Sequence, residues 1–191
     1  MSIIVDRFNK IKSYINNEDI TIIAVSKTFS FDYIAPLIEA GHLHFGENKV
    51  QEAESKWKKL KSEPNKIKLH LIGKLQSNKS KKAVELFDYI HSLDSQKLAD
   101  SLEKHEKSLN KKLKYFIQVN VGMENQKSGI PPNAIDDFYN YCTKEKNLQI
   151  IGLMAIPPND GNQDKHFKFL YEACISLGLK DLSMGMSADY K

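Results

Sequence analysis

Residues 20–48 read ITIIAVSKTFSFDYIAPLIEAGHLHFGEN. An apolar run at 20–25 is followed by Lys27 and then by Ser30, which is placed to cap a helix running to Ala40. Gly41 supplies the C′ residue that ends such a helix, and a second apolar run follows at 42–45. Runs this continuous are what strands buried on both faces look like. The unit is strand, helix, strand.

The same alternation extends to both ends of the chain. Further apolar runs lie at 69–72, 89–93, 115–121, 150–156 and 182–186. Between them Val50, Ala53, Trp57 and Leu60 fall at helical spacing, as do Leu98, Leu102 and Leu109. Ser95 is placed to open a helix and Gly178 to close one built on Phe167, Leu170 and Cys174. Ile4, Phe8, Ile11 and Ile15 make one more helical stripe before the first strand. Alternation of this kind means parallel strands joined by right-handed helical crossovers.

An open doubly wound sheet and a (β/α)8 barrel both satisfy that pattern. GxGxxG and GxxxxGK[ST] loops are absent, which removes the commonest open-sheet functions. Lys27, Asn48, Gln76, Asp94, Asn120 and Ser183 each sit at or just beyond the end of an apolar run. In a barrel those positions converge on the face where active sites lie. The expected fold is therefore α/β, a TIM-type (β/α)8 barrel forming a single domain over 1–191, although only seven strands can be counted.

Composition narrows the function classes. The 191 residues carry a net charge of +4, with 41% hydrophobic and 27% charged residues, as in ordinary globular chains. No apolar run approaches the length of a membrane span, and the charged start MSIIVDRFNKIK does not read as an export signal. Cys142 and Cys174 stand alone, without metal-ligand spacing, so a reducing cytoplasm and no metal are expected. Lysine supplies the positive charge and Arg7 is the sole arginine, a poor composition for reading bases or phosphates bidentately. Nucleic acid is not indicated.

Four places could carry chemistry. Lys27 follows the run expected to be the most buried strand; desolvation there would favour a neutral amine, the form that attacks an aldehyde. Capping the strand end and reaching to water is the equal alternative. Gly46, Glu47 and Asn48 form a strand-to-helix turn that can orient a ligand or simply cap the helix. Lys74, Lys79, Lys81 and Lys82 crowd a helix start that Ser77 or Asn78 can cap; they attract an anion or make a solvated loop. Ser183 and Ser187 flank Gly185 and could cradle a phosphate. His42 and His44 share a strand face without a third ligand, and His70 reads as a core residue.

Taken in order from residue 20 to the end, AVSKT, HFGENKVQE, HLIGKLQSNK, HSLDS, VNVGMENQKSG, GLMAIPP and LSMGMS closely resemble the YggS/PROSC family of pyridoxal phosphate homeostasis proteins. The resemblance implies a fold like the N-terminal barrel of alanine racemase, one pyridoxal 5′-phosphate and a cytoplasmic protein. It implies that Lys27 forms the internal aldimine, that Asn48 and Ile72 line the site of the ring, and that Ser183 contacts the phosphate. It further implies storage or delivery of the cofactor, with PLP-dependent apo-enzymes as recipients, rather than turnover. The alternative is a PLP-dependent amino-acid racemase or decarboxylase, for which the chain lacks room for a second domain.

Members of that family continue with a helix and an eighth strand carrying an Arg-Ile-Gly-Thr segment, whereas this sequence stops at SADYK. The expected barrel therefore lacks its last helix and strand, with weakened cofactor binding and reduced stability. A monomer without membrane or nucleic-acid partners is expected.

Overall fold

The computed structural model describes residues 2–61 and 66–187. Helix α1 (Ile3–Ile15) precedes β1 (Ala24–Val25), α2 (Phe31–Glu39), β2 (His44–Glu47), α3 (Val50–Lys61) and β3 (Lys68–Leu71). Then follow α4 (Ser80–Leu86), β4 (Tyr89–Leu93), α5 (Gln96–Leu109), β5 (Lys114–Gln118), α6 (Ile135–Asn140), β6 (Gln149–Met154), α7 (Gln163–Ser176) and β7 (Asp181–Ser183). Every strand pair is parallel and the order is sequential, β1 to β7. A doubly wound sheet would reverse its direction of growth at a switch point; this one never does. The seven strands make a curled half-barrel, and the curl brings His91 of β4 to within 2.7 Å of Ser183 of β7 across the interior.

Local chemistry sets several helix boundaries. Ser30 and Ser95 accept from the Tyr33 and Leu98 amides at the starts of α2 and α5. Gly41 and Gly178, both at positive φ, follow the ends of α2 and α7. Ser77 and Asn78 do not cap α4: they lie in a 3-10 turn, where the Ser77 carbonyl accepts from the Ser80 and Ser101 hydroxyls. The layer between helices and sheet is closed by Phe45, Trp57, Leu69, Leu71, Ile90, Leu102, Tyr115 and Ile117, all fully buried. Both cysteines are buried, and burial pushes the Cys142 thiol up to about 12, so neither is poised for reaction.

The first strand departs from expectation. Only Ala24 and Val25 pair, and Ile20 and Val25 are 51% and 43% exposed. As an edge strand β1 has β2 on one side only, and β2 begins at His44, opposite residue 23. Among the described residues, 20–22 therefore have no facing strand, and an apolar sequence cannot bury itself without one.

What secures this edge is a carboxylate. Glu47, the last residue of β2, is fully buried, and its Oε1 accepts from Ser26 Oγ at 2.8 Å, Lys56 Nζ at 2.8 Å and Trp57 Nε1 at 2.9 Å. Lys56 Nζ also donates to the Ser26 carbonyl at 2.5 Å. One charged group thus joins the segment after β1 to β2 and α3. At the other edge, β7 lies against Gly152 of β6, where a Cβ would stand 1.9 Å from the Asp181 carbonyl oxygen.

Two substitutions probe these edges. Glu47→Ala leaves the Lys56 ammonium, only 7% exposed, with the more distant Glu52 carboxylate at 3.9 Å as its counter-ion and is expected to cost about 3 kcal/mol in chemical denaturation. Gly152→Ala is expected to cost about 1–3 kcal/mol, with faster amide exchange in 181–183 than in 114–118.

Candidate functional site

Parallel strands put all their C-terminal ends on one rim, so Lys27, Asn48, Asp94, Asn120 and Ser183 share that rim, each within two residues of a strand end. Lys27 occupies an exposed turn, in place of the apolar surroundings expected from the sequence. Its neighbours are nonetheless fixed. The Ser26 amide donates to the Gly46 carbonyl at 2.9 Å and its hydroxyl to Glu47, while the Thr28 amide donates to the Glu52 carboxylate. Thr28 has φ +68°, which a β-branched residue adopts only under constraint, and the α3 side chains supply that constraint. The Lys27 amine thus sits on a short, stiff platform.

Asn48 and Ile72 lie beside it at the ends of β2 and β3. The Ile72 amide donates to the Glu47 carbonyl at 2.9 Å. A Cβ on Gly46 would fall 2.9 Å from Ile23 Cγ2 and 3.3 Å from Ile72 Cδ1, so this glycine lets both isoleucines close over the strand. Gly73 has a similar role: a Cβ there would meet the Asn48 carbonyl oxygen at 2.3 Å. The two glycines bring Asn48 and the half-buried Ile72 together next to the segment that carries Lys27.

Ser183 arrives from the far edge, at the end of β7. Its hydroxyl lies 2.7 Å from His91 Nδ1; His91 Nε2 lies 2.9 Å from His70 Nδ1, and His70 Nε2 lies 3.0 Å from His44 Nδ1. His70 stacks on Tyr89 with centroids 4.2 Å apart, and His91 on Phe116 at 4.3 Å. Burial, reinforced for His70 by the neighbouring imidazoles, holds both far below the ordinary imidazole range, so both are neutral at neutral pH. The sequence reading took His70 as a core residue, which it is, and gave His91 no role. The signal was available: His44, His70 and His91 stand on three successive strands of one sheet.

The remaining rim positions are partly committed elsewhere. Asn120 closes its own loop through Glu124. Asp94 has its carboxyl raised by burial, opposed by Lys74 and by the Gly129 amide. Gln76 is exposed. Lys82 pairs with Glu54 at 2.6 Å, which gives one of the crowded lysines a protein partner. Gly185 meets nothing within 4 Å and serves by its φ of +81° rather than by close approach. Among the described residues no cluster could hold a metal, and no helix is long and apolar enough to cross a membrane.

The buried imidazoles make stability pH-dependent. Their folded pKa values lie below the unfolded value of about 6.5, so the unfolded chain binds more protons in acid. Their contribution is complete above that value and is lost as pH falls. Each is expected to lower unfolding free energy by about 1.4 kcal/mol per pH unit below about pH 6, measured by urea titration. His91→Gln is expected to reduce that slope.

Comparison with known proteins agrees with the geometry. The alanine racemase N-terminal domain matches residues 2–190. The pyridoxal phosphate homeostasis protein of Pasteurella multocida is 36% identical over 180 residues, covering 89% of this chain and 77% of that protein. Its Escherichia coli K12 counterpart is 36% identical over 181 residues, covering 90% and 77%. The structure of PipY from Synechococcus elongatus with PLP bound superposes with a TM-score of 0.83 at 35% identity, over 97% of this chain and 90% of that one. Alanine racemase from Clostridium difficile shares the fold alone, with a TM-score of 0.70 at 18% identity over 47% of that longer chain. Sequential parallel topology, full-length domain match and relatives above one-third identity lead to one placement: the chain belongs to the pyridoxal phosphate homeostasis proteins, within the alanine racemase N-terminal domain family.

Proposed function

We propose that this chain binds pyridoxal 5′-phosphate reversibly and serves its homeostasis in the cytoplasm, without catalytic turnover of its own. The observation that carries the reading is the pinned turn at Lys27, an exposed amine on constrained backbone at the rim shared with Asn48 and Ser183. The donor set fits the cofactor's chemistry. Lys27 offers an amine to the aldehyde, Ile72 an apolar contact and Asn48 an amide to the ring, and Ser183 a hydroxyl to the phosphate. When bound, the cofactor supplies an electrophilic carbonyl carbon; the chain's residues hold and orient it.

Relatives over one-third identical carry homeostasis in their names, and PipY has been solved both with PLP and without it. Reversible loading is what those paired structures of a relative suggest for this chain. The chemistry of the site agrees: Glu47, the carboxylate that secures the Lys27 turn, is committed to Ser26, Lys56 and Trp57. Storage and hand-over to PLP-dependent apo-enzymes by a monomer require nothing more of the site than attachment and release.

The test is the absorption spectrum of the purified chain with added cofactor, beside Lys27→Ala. A visible band that vanishes in the variant, with borohydride fixing the cofactor to the Lys27 peptide, is the expected result. A band of equal strength in the variant would overturn the assignment of Lys27. Exchange of an amino acid's α-proton with solvent, catalysed by the loaded wild type, would overturn the non-catalytic reading.

A further inference from the structure

His44, His70, His91 and Ser183 form one continuous hydrogen-bonded wire, with successive separations of 3.0, 2.9 and 2.7 Å. It crosses the half-barrel diagonally, from half-buried His44 at the start of β2, through His70 and His91 at 3% and 1% exposure, to the rim at the end of β7. A neutral imidazole has one N–H and one bare nitrogen, so each link fixes the next. Only two settings satisfy all three links. In one, every ring carries its proton on Nδ1, and His91 donates to Ser183 Oγ. In the other, every ring carries it on Nε2, and Ser183 donates to His91.

The setting decides what Ser183 can offer a ligand. A hydroxyl has a single proton. If Ser183 gives it to His91, it faces the rim as an acceptor only and repels an anion. If it receives from His91, its own proton is free for an anionic oxygen.

We propose that His91 is a positioning residue for Ser183, and that the wire from His44 sets the Ser183 hydroxyl to donate to a phosphate group at the rim. The proposal rests on the reading that Ser183 contacts the cofactor's phosphate. Switching between settings balances in protons: one enters at Ser183 Oγ from the ligand or water, one shifts across each link, and one leaves from His44 Nε2.

The electrostatics choose the controlling end. His44 is only half-buried; burial and Lys68 of β3 lower its pKa, and Asp88, just before β4, opposes them. His42, with Lys12 of α1 as its charged neighbour, donates from Nε2 to the His44 carbonyl, 2.7 Å away. Deeper in, His70 faces charge only from His91, His44 and His42, and burial alone acts on His91. On the flanking strands the wire meets the rings of Tyr89 and Phe116, with Lys114 of β5 on Tyr89, 5.5 Å from its centroid. His44 is therefore the ring at which the wire keeps or releases its last proton. Once both its nitrogens are protonated, His44 must donate to His70, and the whole wire turns toward Ser183. By linkage, an anion that needs the Ser183 proton makes His44 easier to protonate.

Nitrogen-15 NMR of the imidazoles tests this in two arms. In the ligand-free protein, on the acid side of the His44 titration, His70 and His91 are both expected as Nδ1–H tautomers; an Nε2–H tautomer in either overturns the wire, whatever the cofactor does. With saturating pyridoxal phosphate, the His44 midpoint is expected to rise by about one pH unit, matching roughly tenfold coupling, and Ser183→Ala is expected to abolish the rise. A His44 midpoint unmoved in wild-type protein whose Lys27-dependent band has formed overturns the proposal. If that band never forms, the binding reading of the preceding section fails, and the ligand-free tautomers still decide for or against the wire. A merely structural role for His91 would leave the His44 titration blind to Ser183.

Discussion

The carboxylate of Glu47 is the constraint on which the candidate site depends. It is fully buried, and a buried charge is tolerable only when paired and hydrogen-bonded. The partners of its Oε1 are drawn from the segment after β1 and from α3, so this oxygen holds the two together. The β1 edge has little else: two paired residues and an exposed apolar approach. The Lys27 turn inherits its geometry from this clamp, since Ser26 is bound by it and Thr28 is tied to the same helix through Glu52. An exposed amine becomes a placed amine because an unexposed acid lies beneath it.

The curl of the sheet has a different origin. Parallel strands added in one direction, each covered outside by a helix, twist progressively and bring the far edge round. Most of the core lies between helices and sheet, as in any barrel of this kind. Inside, this chain places a line of imidazoles, stacked on Tyr89 and Phe116 and bonded to one another. Such a line pairs its ring nitrogens along three neighbouring strands, and its last link joins β4 to β7, which are not neighbours. It ties β7, joined to the sheet on one side and seated on Gly152, to the middle of the barrel.

Legibility in the sequence followed the range of the interaction. Ser30, Ser95, Gly41 and Gly178 were readable because a cap acts on residues within one turn. All seven strands were readable because apolar runs state burial directly, and so was their alternation with helices. The proposed cap at Ser77 or Asn78 failed because the Ser77 carbonyl is satisfied from α4 and α5, a contact no local pattern encodes. The run at 20–25 was apolar enough to read as the most buried strand and holds no fully buried residue, because burial needs a facing partner and β2 starts too late to provide one for its first residues. The expectations about the segment after residue 187 lie outside the described residues.

By itself, then, the sequence determined the class of the fold, the order of its elements and the rim on which Lys27, Asn48 and Ser183 stand, since these follow from periodicity and from the direction of parallel strands. Ile72 was carried by motif resemblance alone, and its contact with Gly46 emerged from the structure. Tertiary structure alone decided that Glu47 is an anchor rather than a cap, that Lys27 is exposed on a fixed turn, and that Ser183 ends a wire of histidines. Each of these joins residues between 9 and 92 positions apart. The nearer pairs meet once α3 packs on β2 and the farthest only once the sheet has curled, and nothing in local propensity records which of them will.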